Sequence, residues 1–337
     1  MIKLGIIGTN WITQQFIDAT ELNTDFKLTS VYSRTMDKAK AFAEHNHAAE
    51  TFDDLDRFFN DGSFDVVYIA SPNSLHFKYA KLAIAADKHI IVEKPAFTNQ
   101  KQMAEIEALL KQKPNVLFFE AARQIHTANF KAIEKQVAKM PVIQGGAEFT
   151  YEKYSSRYDK VLDGEVPNIF SLKFAGGGAL QDLGGVYTVY DAVTLFGMPD
   201  EVSYFPQIIS TEVDGKGGTA ILQYPEYNVV LNFGKTSNSY MQSEIYGLRD
   251  TIEIDDAGEI GDVVYVNGEG ERTTIGNVDE VNPMYPEVKD FERVINNSDD
   301  PQNKLDYDRW FQLSMNVNKV LFNLRQDANL VFPDDEE

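Results

Sequence analysis

The stretch KLGIIGTNWIT, residues 3–13, carries an apolar run into a glycine and then into a segment with helical apolar spacing. It predicts a strand, a tight turn and a helix. Gly8, Asn10 and Thr13 stand at the three glycine positions of a G-x-G-x-x-G turn, although only the first is glycine. Such a turn places the pyrophosphate of a dinucleotide at the start of a helix. Asn10 tolerates a left-handed backbone, which makes the turn feasible. Alone, the pattern leaves a cofactor site and a structural turn about equally open.

The alternation of strand and helix continues through the first 123 residues. The predicted strands are 3–8, 27–33, 66–70, 89–92 and 116–120, and the predicted helices are 11–19, 35–44, 53–60, 74–86 and 98–111. Strands without polar alternation are buried on both faces, as in a parallel sheet covered by helices. Residues 1–123 are therefore predicted to form a doubly wound Rossmann domain of the α/β class.

The pattern changes in the second part of the chain. Segments such as 217–224, 228–232 and 242–246 alternate apolar and polar residues between turns rich in Gly and Asp. They predict a second α/β domain over residues 124–337, built on a large, open and mostly antiparallel sheet. A last helix is predicted over residues 307–326 and is expected to pack back near the junction between the domains. The open sheet face suits a subunit interface, so a homodimer or homotetramer is expected.

The composition excludes several functional classes. The chain of 337 residues contains no cysteine, so it has no disulfide, thiolate metal site or cysteine nucleophile. Its formal net charge of −21 disfavours binding to nucleic acid and to anionic membranes. No apolar stretch approaches the length of a membrane span and no signal-peptide pattern is visible, so a cytoplasmic location is expected. His45 and His47 are predicted to be exposed, and no metal site is expected.

The end of the second predicted strand bears on cofactor choice. An NAD site usually has an acidic residue there for the ribose 2′-hydroxyl, but this chain has Ser33 and Arg34, with Thr35 and Lys38 close behind. A hydroxyl and a guanidinium suit a 2′-phosphate. We therefore expect NADP in preference to NAD; the alternative is a surface arginine beside a helix start.

Three segments resemble one family. They are ASPNSLH (70–76), ADKHIIVEKPAF (86–97) and GGGALQDLGG (176–185), and they are similar to the glucose-fructose oxidoreductase, inositol dehydrogenase and rhizopine-catabolism (Gfo/Idh/MocA) family. The resemblance implies a Rossmann domain, a C-terminal domain on a large open sheet, and NAD(P)-dependent oxidation or reduction of a sugar, polyol or related carbonyl. Its most specific element is the E-K-P step that follows a strand.

The resemblance also implies the cofactor and catalytic residues of the first domain. Lys94 would be the catalytic lysine, and Glu93 and Pro95 would shape the nicotinamide pocket. The residues expected to bind the cofactor are Gly8, Thr9, Asn10, Trp11, Ile12, Ser33, Arg34, Lys38, Ala70, Ser71, Pro72, Asn73, His76, Glu93, Lys94 and Pro95. Ligands of open α/β sheets bind beyond the carboxyl ends of the strands, and Lys94 lies just past such an end.

The second catalytic group is less clearly placed. The family pattern is D-x-G-x-H/Y, in which Asp182 and Gly184 match, but the strict last position is Val186. Tyr187 follows at once, and one additional residue, for instance Gly185, would restore the order. We therefore expect Tyr187 and Asp182 to belong to the catalytic group, with Asp182 either orienting the substrate or supporting the residues that touch it.

The segment around Tyr187 reads as an amphipathic helix over residues 180–196. Tyr187, Tyr190 and Asp191 lie on one face of it, so Tyr187 either faces the pocket or is a core aromatic. The expected substrate contacts are Arg123, His126, Tyr187 and Asp191.

The sequence thus predicts an enzyme that transfers a hydride between a nicotinamide cofactor and a small sugar or polyol. Two alternatives remain at this level. One is a dinucleotide-binding sensor without turnover, and the other is a different cofactor chemistry, such as cycling of a retained cofactor between two sugars or a redox step that cleaves a glycoside.

Overall fold

The chain divides into two compact units in a computed structural model, which describes residues 1–140, 143–171, 176–210 and 213–335. Unit 1 contains Met1–Arg123 and Glu280–Ser314, and unit 2 contains Gln124–Asp279 and Met315–Glu337. Residues 280–314, which the sequence analysis assigned to the C-terminal domain, thus group with the Rossmann unit. The reason is the apolar face of a helix in that segment, which is buried in the core of unit 1.

Unit 1 is built on a parallel sheet that has six strands in the described residues, in the order β3-β2-β1-β4-β5-β6. The strands are β1 (Ile2–Ile7), β2 (Phe26–Tyr32), β3 (Glu50–Phe52), β4 (Val66–Ile69), β5 (His89–Glu93) and β6 (Phe118–Ala121). The order reverses at β1 and β4, so the carboxyl ends of these two strands flank the crevice in which doubly wound sheets bind ligands. The predicted Rossmann architecture is confirmed; β3 is a short strand that the sequence analysis missed.

Helices cover the sheet because their apolar residues recur at helical spacing. They are α1 (Trp11–Thr20), α2 (Met36–His45), α3 (Leu55–Asp61), α4 (His76–Ala85) and α5 (Gln100–Gln112). A further helix, α9 (Tyr285–Asn296), buries Val288, Phe291 and Val294 in the same core as the residues of β1 and β4. This buried face explains why residues 280–314 belong to unit 1.

Unit 2 is built on a second sheet, with eight strands in the described part of the chain, in the order β14-β13-β12-β11-β7-β10-β9-β8. The strands are β7 (Ile143–Glu152), β8 (Glu201–Ser210), β9 (Val213–Gln223), β10 (Asn228–Gly234), β11 (Ser243–Gly247), β12 (Thr251–Ile254), β13 (Val263–Val266) and β14 (Arg272–Gly276). Strands β7 and β10 pair in parallel and the other neighbours pair antiparallel. The prediction of a large, mostly antiparallel sheet is confirmed.

The remaining helices are α6 (Ala128–Val137), α7 (Tyr158–Leu162), α8 (Gly185–Phe196) and α10 (Pro301–Asp327). Helix α10 begins six residues before the predicted start at residue 307, and its residues up to Ser314 belong to unit 1. Among the described residues, none of the helices combines the length and the apolar character that crossing a membrane requires.

Candidate active site

The turn after β1 depends on Gly8. Its φ is +108°, and a Cβ atom at this position would lie 2.4 Å from the carbonyl oxygen of Ala70. A side chain therefore fits neither the backbone conformation nor the space. The first glycine of the sequence pattern is thus required to bring the loop against the end of β4.

Asn10 serves a different purpose from the one expected. Its backbone is extended, with φ −105°, so the left-handed conformation that asparagine tolerates is not used here. Its Oδ1 instead accepts the N–H groups of Ile12 at 2.9 Å and Thr13 at 3.2 Å, which caps α1, and its Nδ2 donates to the carbonyl oxygen of Ala70 at 2.9 Å. One side chain therefore fixes the start of α1 and ties it to β4.

A pocket of about 510 Å³ opens between the ends of β1, β2 and β4. Its lining residues are Ile7, Gly8, Thr9, Asn10, Tyr32, Ser33, Arg34, Thr35, Lys38, Ala70, Ser71, Pro72, Leu75 and Tyr79. Nine of the expected cofactor residues are brought together here, and no acidic residue stands among these fourteen. Such a site fits the size and the polar groups of a dinucleotide half.

Two tyrosines of this lining were not found by sequence reasoning. Tyr32 ends β2 and Tyr79 lies on α4, and both side chains are buried. Burial raises the pKa of both phenols, and the nearby Arg34 guanidinium partly opposes this in each case. They are therefore neutral hydrogen-bonding groups beside Arg34. The helical position of Tyr79 on the pocket side of α4 is the signal that would have indicated it.

The E-K-P turn is held by side chains from three other elements of unit 1. The Tyr68 hydroxyl of β4 donates to Glu93 Oε1 at 2.5 Å, and the N–H of Ala96 donates to Glu120 Oε1 at 2.9 Å. Glu93 is 8% exposed, so its carboxylate is directed at the interior of unit 1. Lys94 is partly exposed, and its bond to Pro95 is cis. The turn thus presents Lys94 while Glu93 anchors it.

His76 connects this turn to the pocket. The imidazole is fully buried, with Nδ1 3.1 Å from the carbonyl oxygen of Pro95 and Nε2 2.9 Å from that of Ser71. Ser71 lines the pocket, so a single side chain joins the pocket rim to the residue after Lys94. His76 therefore acts through the backbone of the two loops.

The other expected cofactor residues lie outside the pocket lining. Trp11 opens α1 with its side chain 62% exposed, and the N–H of Ile12 is bonded to Asn10. Asn73 is buried at the start of a 3₁₀ turn, Asn73–Leu75. Glu93 ends β5, and Lys94 and Pro95 lie on the turn that follows it.

In unit 2, a π turn, Ala179–Leu183, precedes α8. The N–H groups of Leu183 and Gly184 donate to carbonyl oxygens five residues back, at 3.1 and 3.0 Å. Gly185 closes this turn, since a Cβ atom there would lie 2.7 Å from Leu180 Cα. The helix predicted from residue 180 therefore starts as a π turn and becomes an α-helix at Gly185.

The residues after the π turn separate into exposed and buried positions. Val186 is fully buried, whereas Tyr187 and Asp182 are partly exposed. The ring of Tyr187 packs against Tyr151 with centroids 5.1 Å apart, and Lys235 Nζ lies 4.4 Å from the Tyr151 ring centroid. Of the two neighbouring positions 186 and 187, the tyrosine is the one that reaches the surface of unit 2.

Two residues expected on the face of Tyr187 are buried instead. Tyr190 and Asp191 are each 1% exposed, because α8 packs that side onto the sheet. Burial, with Asp256 adding to it, raises the pKa of Asp191 well above its ordinary value, and Gln124 partly offsets the rise. Burial thus favours the neutral form of the Asp191 carboxyl.

The expected substrate residues before α6 differ in exposure. Arg123 is partly exposed and its Nη1 donates to Gln15 Oε1 at 3.2 Å, while His126 is 2% exposed. His45 and His47 are exposed, as expected. Among the described residues, no group of three or more His, Asp or Glu side chains is arranged to hold a metal ion.

The chain is similar to known proteins along its whole length. The Gfo/Idh/MocA family model, described as an oxidoreductase family with an NAD-binding Rossmann fold, matches residues 2–121. The chain is 37% identical to scyllo-inositol 2-dehydrogenase (NADP(+)) IolU of Bacillus subtilis strain 168, over 100% of both chains. It is 32% identical to the uncharacterized oxidoreductase YgjR of Escherichia coli K12, over 99% of both.

A solved structure shares the fold. The 3-ketoreductase KijD10 from Actinomadura kijaniata, crystallised with TDP-benzene and NADP, superimposes with a TM-score of 0.78 and covers 97% of both chains. Its sequence identity is 19%, so this likeness concerns the fold.

Proposed function

The chain belongs to the Gfo/Idh/MocA oxidoreductase family, and we propose from this that it transfers a hydride between NADP(H) and a cyclic polyol or sugar. Membership makes it an oxidoreductase rather than a sensor without turnover. The observation that carries the finer proposal is the unit 1 pocket, in which Arg34 stands where an NAD enzyme usually has an acid.

The pocket fits a dinucleotide in three respects. Gly8 lets the loop after β1 lie against the end of β4 and so close one side of the pocket, because a Cβ atom at this position would meet the carbonyl oxygen of Ala70. Ser33, Arg34 and Lys38 supply a hydroxyl and two cations for a 2′-phosphate, and the lining carries no acid to repel it. The bound cofactor would supply the hydride chemistry, and the protein would bind the cofactor and orient it against the substrate.

Lys94 is proposed as the group that exchanges the proton of the reacting hydroxyl. It stands at the carboxyl end of β5, and Glu93 and the backbone of Pro95 and Ala96 are fixed by Tyr68, His76 and Glu120. A rigid backbone on both sides of a partly exposed lysine is what a proton-transfer group needs. Tyr187 is proposed as a second acid-base group, supported by its exposure beside the buried Val186.

The substrate is proposed as scyllo-inositol or a related cyclic polyol. The reason is that IolU, which aligns with this chain over 100% of both sequences, is named a scyllo-inositol 2-dehydrogenase. The measurement is NADP⁺ reduction with inositols and sugars as substrates. Absence of turnover with every polyol and sugar, while NADPH still binds, would contradict the proposal. Homo-oligomerisation stays a prediction, which size-exclusion chromatography with light scattering measures.

Cofactor preference is tested by calorimetric titration with NADPH and NADH. Arg34→Ala should weaken NADPH binding by at least about tenfold and leave NADH nearly unchanged, since a charged hydrogen bond is worth about 1.5–3 kcal/mol. Arg57→Ala is the matched control, because Arg57 is an exposed arginine paired with Asp61 on α3. Unchanged NADPH affinity in Arg34→Ala would refute the phosphate role.

Lys94→Ala tests the proton-transfer group. We expect turnover to fall by at least about a hundredfold with NADPH affinity nearly unchanged, because general acid-base catalysis contributes about 10²–10⁴ in rate. Lys101→Ala, at an exposed lysine of α5, is the control. Turnover close to that of the wild type in Lys94→Ala would end the assignment.

A further inference from the structure

A buried acid of unit 1 interacts electrostatically with Glu93 and has no role in the function proposed so far. Glu287 is in the first turn of α9 and is fully buried. Within the described residues, neither of its carboxyl oxygens has a hydrogen-bond partner. A buried, unpaired carboxylate is very costly, so the carboxyl is expected to keep its proton.

Four charged or titratable groups of unit 1 interact with Glu287. They are Glu93 at the end of β5, Tyr68 on β4, Arg123 after β6 and Asp290 on α9 itself. Desolvation raises the pKa of Glu287 well above its ordinary value, Glu93 and Asp290 add to the rise, and Arg123 opposes it. Two carboxyls near one another and short of water do not both ionise readily.

The structure indicates which of the two carboxyls carries the charge. Glu93 Oε1 accepts the Tyr68 hydroxyl at 2.5 Å, whereas Glu287 has no donor among the described residues. A hydrogen bond to the ionised form favours it. These contacts favour the negative charge on Glu93 and the retained proton on Glu287.

We propose that Glu287 is a positioning residue for Lys94, acting through Glu93. As a neutral carboxylic acid it leaves Glu93 as the ionised partner of Tyr68, which fixes the backbone that presents Lys94. A second negative charge at Glu287 would repel Glu93 from Tyr68 and loosen the turn. This inference rests on the proposed role of Lys94.

The first test measures the charge state of Glu287 without substrate or cofactor. Urea unfolding of the wild type and Glu287→Gln is measured at several pH values. A folded protein that keeps a proton which the unfolded chain releases loses stability as pH rises above the ordinary glutamate range. Glutamine cannot titrate, so the urea midpoint of Glu287→Gln should rise relative to wild type as pH increases.

The matched control is Glu292→Gln on the same helix. Glu292 is buried but accepts the N–H of Asp25 and pairs with Lys289, so its replacement should lower the midpoint by a similar amount at each pH above the ordinary glutamate range. A pH-independent difference between Glu287→Gln and wild type would mean that Glu287 is ionised in the fold, and would refute the inference.

The second test reads the link to Lys94 from pH profiles of kcat and kcat/KM. Glu287→Gln should keep turnover within about threefold of wild type near neutral pH and hold it to higher pH, because the disruptive charge cannot form. If the Glu287→Gln profiles coincide with those of the wild type at alkaline pH, Glu287 has only a structural role, and the proposal that it positions Lys94 is refuted. A Lys94→Ala variant that retained turnover would instead refute the proposed function, whatever the charge of Glu287.

Discussion

Asp191→Asn should stabilise the protein, and increasingly so as pH rises. Asp191 was expected from the sequence to contact substrate, but it is 1% exposed and its Oδ1 has no hydrogen-bond partner among the described residues. Desolvation and Asp256 raise its pKa well above the ordinary value. In the unfolded chain it ionises near its ordinary pKa. The folded state therefore holds a proton that the unfolded state releases.

The size of the effect follows from this difference. Each pH unit over which the unfolded carboxyl is ionised and the folded one protonated costs the wild type about 1.4 kcal/mol of unfolding free energy. From about pH 5 to about pH 7 the wild type should thus lose up to about 2.7 kcal/mol relative to Asp191→Asn. The asparagine has nearly the same shape and does not titrate.

The assay is urea unfolding of both proteins at about pH 5, 6 and 7, with circular dichroism as the readout. Asp159→Asn is the control, since Asp159 takes part in an exposed hydrogen bond with Tyr154. If Asp191→Asn is less stable than wild type by the same amount at each pH, the carboxylate is ionised and accepts hydrogen bonds. That result would refute the assignment of Asp191 as a neutral interior acid.

Three further substitutions test the turns that build the site. Gly8→Ala should raise the NADPH dissociation constant by about tenfold or more in calorimetry, because strain of about 1–3 kcal/mol and the contact with Ala70 displace the loop; unchanged affinity would count against the loop as the phosphate site. Tyr68→Phe should lower the unfolding free energy by about 1–3 kcal/mol, since Glu93 loses a buried donor; an unchanged urea midpoint would show that the bond contributes nothing. Gly185→Ala should reduce turnover while NADPH still binds, because a Cβ atom has no room in the π turn; full activity would mean that the turn adapts.

The strands and turns of unit 1 could be predicted because their signals are local. Gly8 follows an apolar run and precedes a helical one, and Lys94 follows another such run and precedes a proline. The spacing of the apolar residues and the residues favoured in turns can be recognised within about ten neighbouring residues, so this prediction needs no knowledge of the tertiary structure. The position of both residues at the carboxyl edge of the sheet then follows from parallel strand order.

The roles of Asn10 and Asp191 could not be predicted, because they depend on distant residues. Asn10 caps α1, but its side chain also bonds the carbonyl oxygen of Ala70, sixty residues away. Asp191 reads as a polar residue on a helix face, and its burial is decided by how α8 packs on the sheet. A local pattern shows which residues share a face, whereas tertiary packing decides which face is buried.

The π turn before α8 bears on the mismatch at Val186. A turn with hydrogen bonds to the fifth residue back holds one residue more than an α-helical turn. The family pattern has one residue fewer than this chain between Gly184 and the tyrosine, and the turn lies directly before that point. Val186 is buried and Tyr187 is partly exposed, so of these two positions the one that carries a hydroxyl group is the accessible one. Tyr187 thus stays our proposal for the counterpart of the family's histidine or tyrosine, and Gly185 is the residue whose lack of a side chain lets the start of α8 lie against Leu180 of the π turn.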